Sequence, residues 1–186
     1  MSFNIAGVKI TFGFGFFAAA AVFSLIDPMM LGISFLCSCI IHECGHILAA
    51  LICGRKIVSV RFGAGGIKMT ADKRIVSFSK DAFILLCGPA FNLAAAFFYY
   101  KEECYTAFSS DLILGIYNLL PFGILDGGAL LELLLEYFGV FSDRVLKLVS
   151  VLTAAVIIVF LYVSGMGNAV SYGTLLMLLL CEFSVF

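Results

Sequence analysis

The sequence predicts an all-α polytopic membrane protein with about six transmembrane helices, the fourth broken, and a small β-rich segment between the second and third spans. Of its 186 residues, 63% are hydrophobic and only 12% are charged, and the mean hydropathy is +1.15. Soluble domains are roughly 45–50% apolar and about 25% charged. Several apolar runs also approach the 20 residues that a membrane helix needs. A membrane protein is therefore favoured over a soluble protein with an unusually apolar core.

Six apolar runs give the predicted spans, and no cleavable signal peptide is evident, because the first run is longer than a signal peptide's apolar core. The predicted spans are Gly7–Ile26, Met29–Cys53, Ala82–Tyr100, Tyr105–Phe138, Val145–Ser164 and Ala169–Phe186. The seven cysteines form no CxxC pair, so we expect small buried hydrophobic residues and not a thiolate zinc site.

The fourth apolar run is too long for one simple span, since its 34 residues would make a helix of about 50 Å. Pro121 and three nearby glycines predict a break near residues 118–128, because proline removes a helical hydrogen bond. Irregular backbone at membrane depth is tolerated only where it is buried in protein or lines a wet cavity. The break therefore already indicates a functional site.

The polar segment Gly54–Lys80 holds seven of the eleven Lys and Arg residues. The positive-inside rule places this segment in the cytoplasm, and with six spans both termini are then cytoplasmic. Within the segment, Ile57–Val60 is β-prone, Phe62–Gly66 is typical of a turn, and Ile67–Thr70 alternates between apolar and polar residues. We therefore expect a small, partly interfacial sheet.

Both histidines of the chain lie in the second predicted span, in the motif His42-Glu43-Cys44-Gly45-His46. Residues four apart share one face of a helix, so both imidazoles can bind one Zn²⁺. Glu43 is offset around the helix and can act as general base towards zinc-bound water. Ionisable residues within a membrane are costly and predict a functional site, although histidines that merely bond neighbouring helices are the alternative.

A catalytic zinc usually has three protein ligands, and without a third histidine a carboxylate must serve. The candidates in apolar regions are Asp111, Asp126, Glu132, Glu136 and Glu182. Asp126 is favoured because it lies in the broken segment and precedes two glycines, where backbone can approach a metal closely. Capping of the following half-helix is its alternative role.

Three motifs together resemble the site-2 protease family of intramembrane zinc metalloproteases. They are the HECGH motif at 42–46, Gly-Pro-Ala-Phe-Asn at 88–92, and Asn-Leu-Leu-Pro-Phe-Gly-Ile-Leu-Asp-Gly-Gly at 118–128. The resemblance covers about residues 29–138 and is closest in layout to the stage IV sporulation protein FB branch. It implies one intramembrane metalloprotease domain over residues 1–186, with a catalytic core at 29–138. We expect neither the PDZ nor the CBS domain that members of the family carry.

The resemblance implies roles for individual residues. His42, His46 and Asp126 match the family's zinc ligands, and Glu43 matches its catalytic base. Asn118 and Asn92 match asparagines near the family's active site, where an amide can hydrogen-bond the scissile carbonyl or steady the substrate. Hydrogen bonding between helices is their alternative role.

We therefore expect an integral, multi-pass protein of a bacterial cell membrane with one Zn²⁺ per chain. It would hydrolyse a peptide bond of a transmembrane or membrane-associated cytoplasmic substrate, in or near the bilayer. A regulatory membrane partner is compatible with this function, whereas no nucleic acid is expected. Two alternatives remain: a catalytically silent membrane scaffold of the same family, and a metal or solute transporter with an intramembrane metal site.

Overall fold

The structure is a computed structural model of the chain. It describes all residues except 6–7, 16, 19–20, 22–30, 64–65, 72–76, 141–142 and 185–186. The chain divides into two compact units, Met1–Tyr117 and Asn118–Phe186.

The first unit contains a four-stranded sheet in the order β1-β2-β3-β4. Its strands are β1 (Ser2–Ile5), β2 (Val8–Phe12), β3 (Ile57–Gly63) and β4 (Gly66–Ala71). The β1–β2 and β3–β4 pairs are antiparallel, and the central β2–β3 pair is parallel. The small sheet predicted within the polar segment is confirmed by β3 and β4.

The N-terminal half of the sheet corrects one sequence prediction. A membrane helix was expected from Gly7, but residues Val8–Phe12 form β2. The apolar residues of this strand alternate with Lys9 and Thr11, and hydropathy alone does not separate such a strand from the start of a span. Farther along the predicted span, residues 14–15, 17–18 and 21 are helical, whereas 16, 19–20 and 22–26 lie outside the described residues.

Three helices follow in the first unit: α1 (Leu31–Ile52), α2 (Phe78–Lys101) and α3 (Tyr105–Asn118). The first two agree with the second and third predicted spans to within a few residues. Gly54, two residues beyond α1, has a φ of +77°, which favours glycine and ends the helix.

Small residues let α1 and α2 pack closely. A Cβ atom on Gly45 would lie only 2.5 Å from the carbonyl oxygen of Cys87. One turn farther, the buried Ala49 and Ala50 pack with Ile84. Small residues at helix contacts are the usual means of close packing in membranes. The glycine inside the HECGH motif therefore brings the two histidines against α2.

The second unit holds α4 (Asp126–Tyr137), α5 (Asp143–Val163) and α6 (Ala169–Ser184). Because α3 ends at Asn118 and α4 begins at Asp126, the predicted break in the fourth apolar run is confirmed. The α5 and α6 helices match the last two predicted spans.

Gly127 and Gly128 allow close packing of the backbone at the start of α4. A Cβ atom on Gly127 would lie 2.2 Å from the carbonyl oxygen of Leu119, and one on Gly128 would lie 2.0 Å from that of Phe122. The glycines therefore admit the backbone of the preceding segment against the first turn of α4. Phe122 is fully buried in this arrangement.

Three of the described helices, α1, α2 and α5, are long and apolar enough to cross a membrane, and α6 is a shorter apolar helix. Burial follows the pattern of a membrane protein, with apolar residues such as Val156 and Phe160 more than 60% exposed. Among the residues that the structure describes, the buried polar side chains are Ser38, His42, His46, Asn92, Ser110, Asp111, Ser150 and Glu182. A count of six spans stays a prediction.

Candidate metal centre

The two histidines of α1 lie side by side and are both buried, at 7% and 8% exposure. Their spacing of four residues puts them on one helix face. The Nε2 atoms of His42 and His46 are 3.1 Å apart, so the same nitrogen of each ring points to one place.

The other ring nitrogen of each histidine faces an oxygen atom that can only accept. His42 Nδ1 lies 2.7 Å from Oδ1 of Asn92, and His46 Nδ1 lies 2.8 Å from the carbonyl oxygen of Ile84. Each Nδ1 must therefore carry a proton and donate it. In a neutral imidazole this leaves the lone pair on Nε2, which is the tautomer that can bind a metal through Nε2.

This arrangement fits a shared metal ion. Two nitrogen lone pairs that face each other repel, and a cation between them turns that repulsion into attraction. Two nitrogens at about 2.0–2.1 Å from one tetrahedral zinc ion lie about 3.3–3.4 Å apart, close to the separation seen here. Bonds from Nδ1 to a carbonyl oxygen are also the usual support for metal-binding histidines.

Gly88 of α2 makes room for the imidazoles. A Cβ atom at this position would lie 2.3 Å from His46 Nε2 and 2.9 Å from His42 Cε1. Any side chain here would therefore occupy the place where the two rings meet. Sequence reasoning assigned no role to Gly88, although the residue belongs to the Gly-Pro-Ala-Phe-Asn motif.

Asn92, from the same motif, is fully buried against His42. Its Nδ2 atom donates to the carbonyl oxygen of Ser38, at 2.9 Å, and to Oδ1 of Asp111, at 2.6 Å. Asn92 thus contacts α1 and α3 as well as the histidine. Its position favours the helix-bonding alternative over contact with a substrate, because both amide hydrogens already meet protein oxygens.

Asp126 is the first residue of α4, and Leu125 takes the N-cap position, where its side chain makes no capping hydrogen bond. The role of Asp126 as the third zinc ligand, with His42 and His46, stays a prediction. Two nitrogens and one carboxylate oxygen are a donor set typical of catalytic zinc.

Two other carboxylates considered as ligands have different partners. Asp111 accepts from Asn92, and Glu182 accepts the backbone N–H of Gly123 at 2.7 Å. Sequence reasoning missed the second of these contacts, because it joins residues 59 positions apart.

Glu43 and Asn118 complete the set of predicted site residues. Glu43 follows His42 on α1 and is half-buried. Asn118 is the last residue of α3, at the start of the break, and is also half-buried. Their roles as base and substrate contact stay predictions.

Comparison with known proteins gives a structural match without a sequence match. No family model and no curated protein matches the chain. A solved structure, the site-2 protease from Methanocaldococcus jannaschii, is similar over 98% of this chain and 94% of its own, with a TM-score of 0.68 and 20% sequence identity. At this identity the likeness establishes a common fold, so this chain folds like a site-2 protease.

Proposed function

We propose that the chain is an intramembrane zinc metalloprotease that hydrolyses a peptide bond of a transmembrane or membrane-associated substrate. The observation that carries the proposal is the paired Nε2 atoms of His42 and His46 on an apolar helix of membrane length. The site-2 protease fold adds support, and Asp126 is proposed as the third ligand.

The residues divide the chemistry between them. His42, His46 and Asp126 would hold the ion, which supplies a Lewis acid and lowers the pKa of water to about 7. Glu43 takes a proton from the attacking water and later gives it to the leaving amine. Asn118 is proposed to bond the substrate backbone, since an amide can pair with a peptide unwound from its helix.

The finer features of the proposal follow the resemblance of the motifs. We propose six spans, cytoplasmic termini, a location in a bacterial cell membrane, and the stage IV sporulation protein FB branch as the nearest layout. The substrate would be a single-span or membrane-associated cytoplasmic protein.

The decisive experiment replaces the base and keeps the ligands. The parent chain and Glu43→Gln are each co-expressed with a panel of tagged single-span membrane proteins, and cleavage is followed by immunoblotting. We expect Glu43→Gln to stop cleavage and still to retain one zinc per purified chain. Glu102→Gln, in the exposed turn after α2, makes the same chemical change away from the site and should cleave like the parent.

Equal cleavage by Glu43→Gln and the parent would show that Glu43 is not the base. A zinc content below one ion per purified parent chain would contradict the proposed metal centre. If the parent cleaves nothing but carries zinc or another divalent ion into liposomes, the transporter alternative replaces the protease.

A further inference from the structure

Asp111 is a buried acid that peptide hydrolysis does not explain. It lies on α3 and is 1% exposed. Its hydrogen bond comes from a neutral group, since Asn92 Nδ2 donates to it at 2.6 Å. A buried carboxyl group in an apolar protein is costly, so its presence here indicates a role.

The contacts of Asn92 connect Asp111 to the metal centre. The Asn92 amide has one donor end and one acceptor end, and the two differ only by a rotation of the group. The donor end meets two oxygens, from Ser38 and Asp111. The acceptor end is therefore turned towards His42 Nδ1.

The orientation of this amide decides the proton position on His42. With Oδ1 towards the ring, the proton must lie on Nδ1, and the Nε2 lone pair is available to a metal. If the amide rotated, its NH₂ group would face Nδ1, and the proton would move to Nε2.

We propose that Asp111 is a positioning residue for the metal centre: acting through Asn92, it holds His42 in the tautomer that binds a metal through Nε2. The inference rests on the metal centre proposed above. Asp111 itself touches neither the metal nor the substrate. Its effect is therefore on the metal affinity of the site and on the tautomer of the His42 ring.

Zinc affinity is the first test, measured on the detergent-solubilised full chain by competition with a chromophoric chelator. Asn92→Leu should weaken binding by about 10- to 100-fold, the range for outer partners of metal ligands. Asp111→Leu should lose about tenfold, the lower end of that range, because the Ser38 carbonyl still orients the amide. Asp111→Asn should stay near the parent, since its amide oxygen can accept the same bond.

A double variant separates positioning from general damage. Asp111→Leu should add no further loss in an Asn92→Leu background, because the amide through which it acts is gone. Ser110→Ala, at the neighbouring buried residue of α3, removes a bond only within that helix and should bind zinc like the parent.

The tautomer of the His42 ring can also be measured directly. The chain has only two histidines, so ¹⁵N-histidine labelling gives two ring spectra in the metal-free protein. The His42 signal should be that of the Nδ1–H form in the parent and shift towards the Nε2–H form in Asp111→Leu. His46, whose Nδ1 meets the Ile84 carbonyl, should not change and is an internal control.

The outcomes are distinct. A parent chain that binds no zinc removes the proposed function together with the metal centre. If the parent binds zinc, and Asp111→Leu has the same zinc affinity and the same His42 spectrum as the parent, only the role of Asp111 is overturned. Loss of affinity that adds fully to that of Asn92→Leu also overturns it. If Asp111→Leu does not fold, Asp111→Asn is the test. A His42 spectrum of Asp111→Asn that differs from that of the parent would contradict the proposal.

Discussion

At the scale of single residues, the site combines local and distant contacts, and these differ in how well sequence predicts them. His42, Glu43 and His46 are recognisable because helical spacing is local. The bond between His42 and Asn92 joins residues 50 positions apart and depends on the packing of α1 against α2. The sequence therefore predicts the ligands better than the groups that orient them.

At Gly88, the addition of a single methyl group is expected to disturb the metal centre. Gly88→Ala places a methyl group where the two imidazoles meet, 2.3 Å from His46 Nε2, so one ring must move. We expect zinc affinity to fall by about tenfold or more, as for other changes that misorient metal ligands. Chelator competition on the purified chain measures the loss.

Gly173→Ala is the matched control, because a Cβ atom at this position of α6 meets nothing within 4 Å. It should bind zinc like the parent. Equal affinity in Gly88→Ala and Gly173→Ala would mean that the rings do not occupy the place assigned to them.

At the scale of elements, the break between α3 and α4 is held by side chains of α5 and α6. Ser150 donates to the carbonyl oxygen of Pro121, and Glu182 accepts the N–H of Gly123. These bonds satisfy backbone groups that proline and the turn release from a helix. The break was predictable from Pro121 and its glycines, whereas its supports were not, since they come from helices later in the chain.

Glu182 should accordingly stabilise the fold. Glu182→Leu leaves the Gly123 N–H without its acceptor, which costs about 1–3 kcal/mol for a buried group. Glu182→Gln keeps an acceptor oxygen and should unfold close to the parent. Thermal unfolding in detergent compares the variants.

The exposed Glu136 offers a control of the same chemistry. Glu136→Leu should leave the unfolding midpoint near that of the parent. A Glu182→Leu chain as stable as Glu136→Leu would contradict the supporting role of the α6 carboxyl group.

At the scale of the whole molecule, composition predicts a membrane protein, and the helices agree with four of the predicted runs closely. The N-terminal strands were missed because Val8–Phe12 is apolar enough to resemble a span and its parallel partner, β3, lies about fifty residues away. Pairing partners at that distance leave no local signal.

The predicted topology can be tested with a cysteine that the chain already has. The 24 residues of α2 would extend about 36 Å, enough to cross a bilayer, so its two ends should lie on opposite sides. Cys104, exposed beyond its C-terminal end, should react with an impermeant maleimide added to intact cells. Cys104→Ser should abolish that labelling.

Lys56→Cys in the Cys104→Ser background tests the opposite side. Lys56 is exposed between α1 and β3, and its replacement should be labelled only after the cells are opened. Labelling of this variant in intact cells, with none at Cys104 in the parent, would reverse the orientation.

The parallel pairing of β2 with β3 has a consequence for how the chain is made. Lys9 lies opposite Ser59, so fifty more residues must be synthesised after β2 before its partner strand can pair with it. At about 5–20 residues per second, synthesis takes roughly 2.5–10 s over that interval. A two-stranded hairpin is marginal alone, and hairpins form within about 1–10 μs. The rate of synthesis, and not the rate at which the strands meet, therefore limits completion of the sheet.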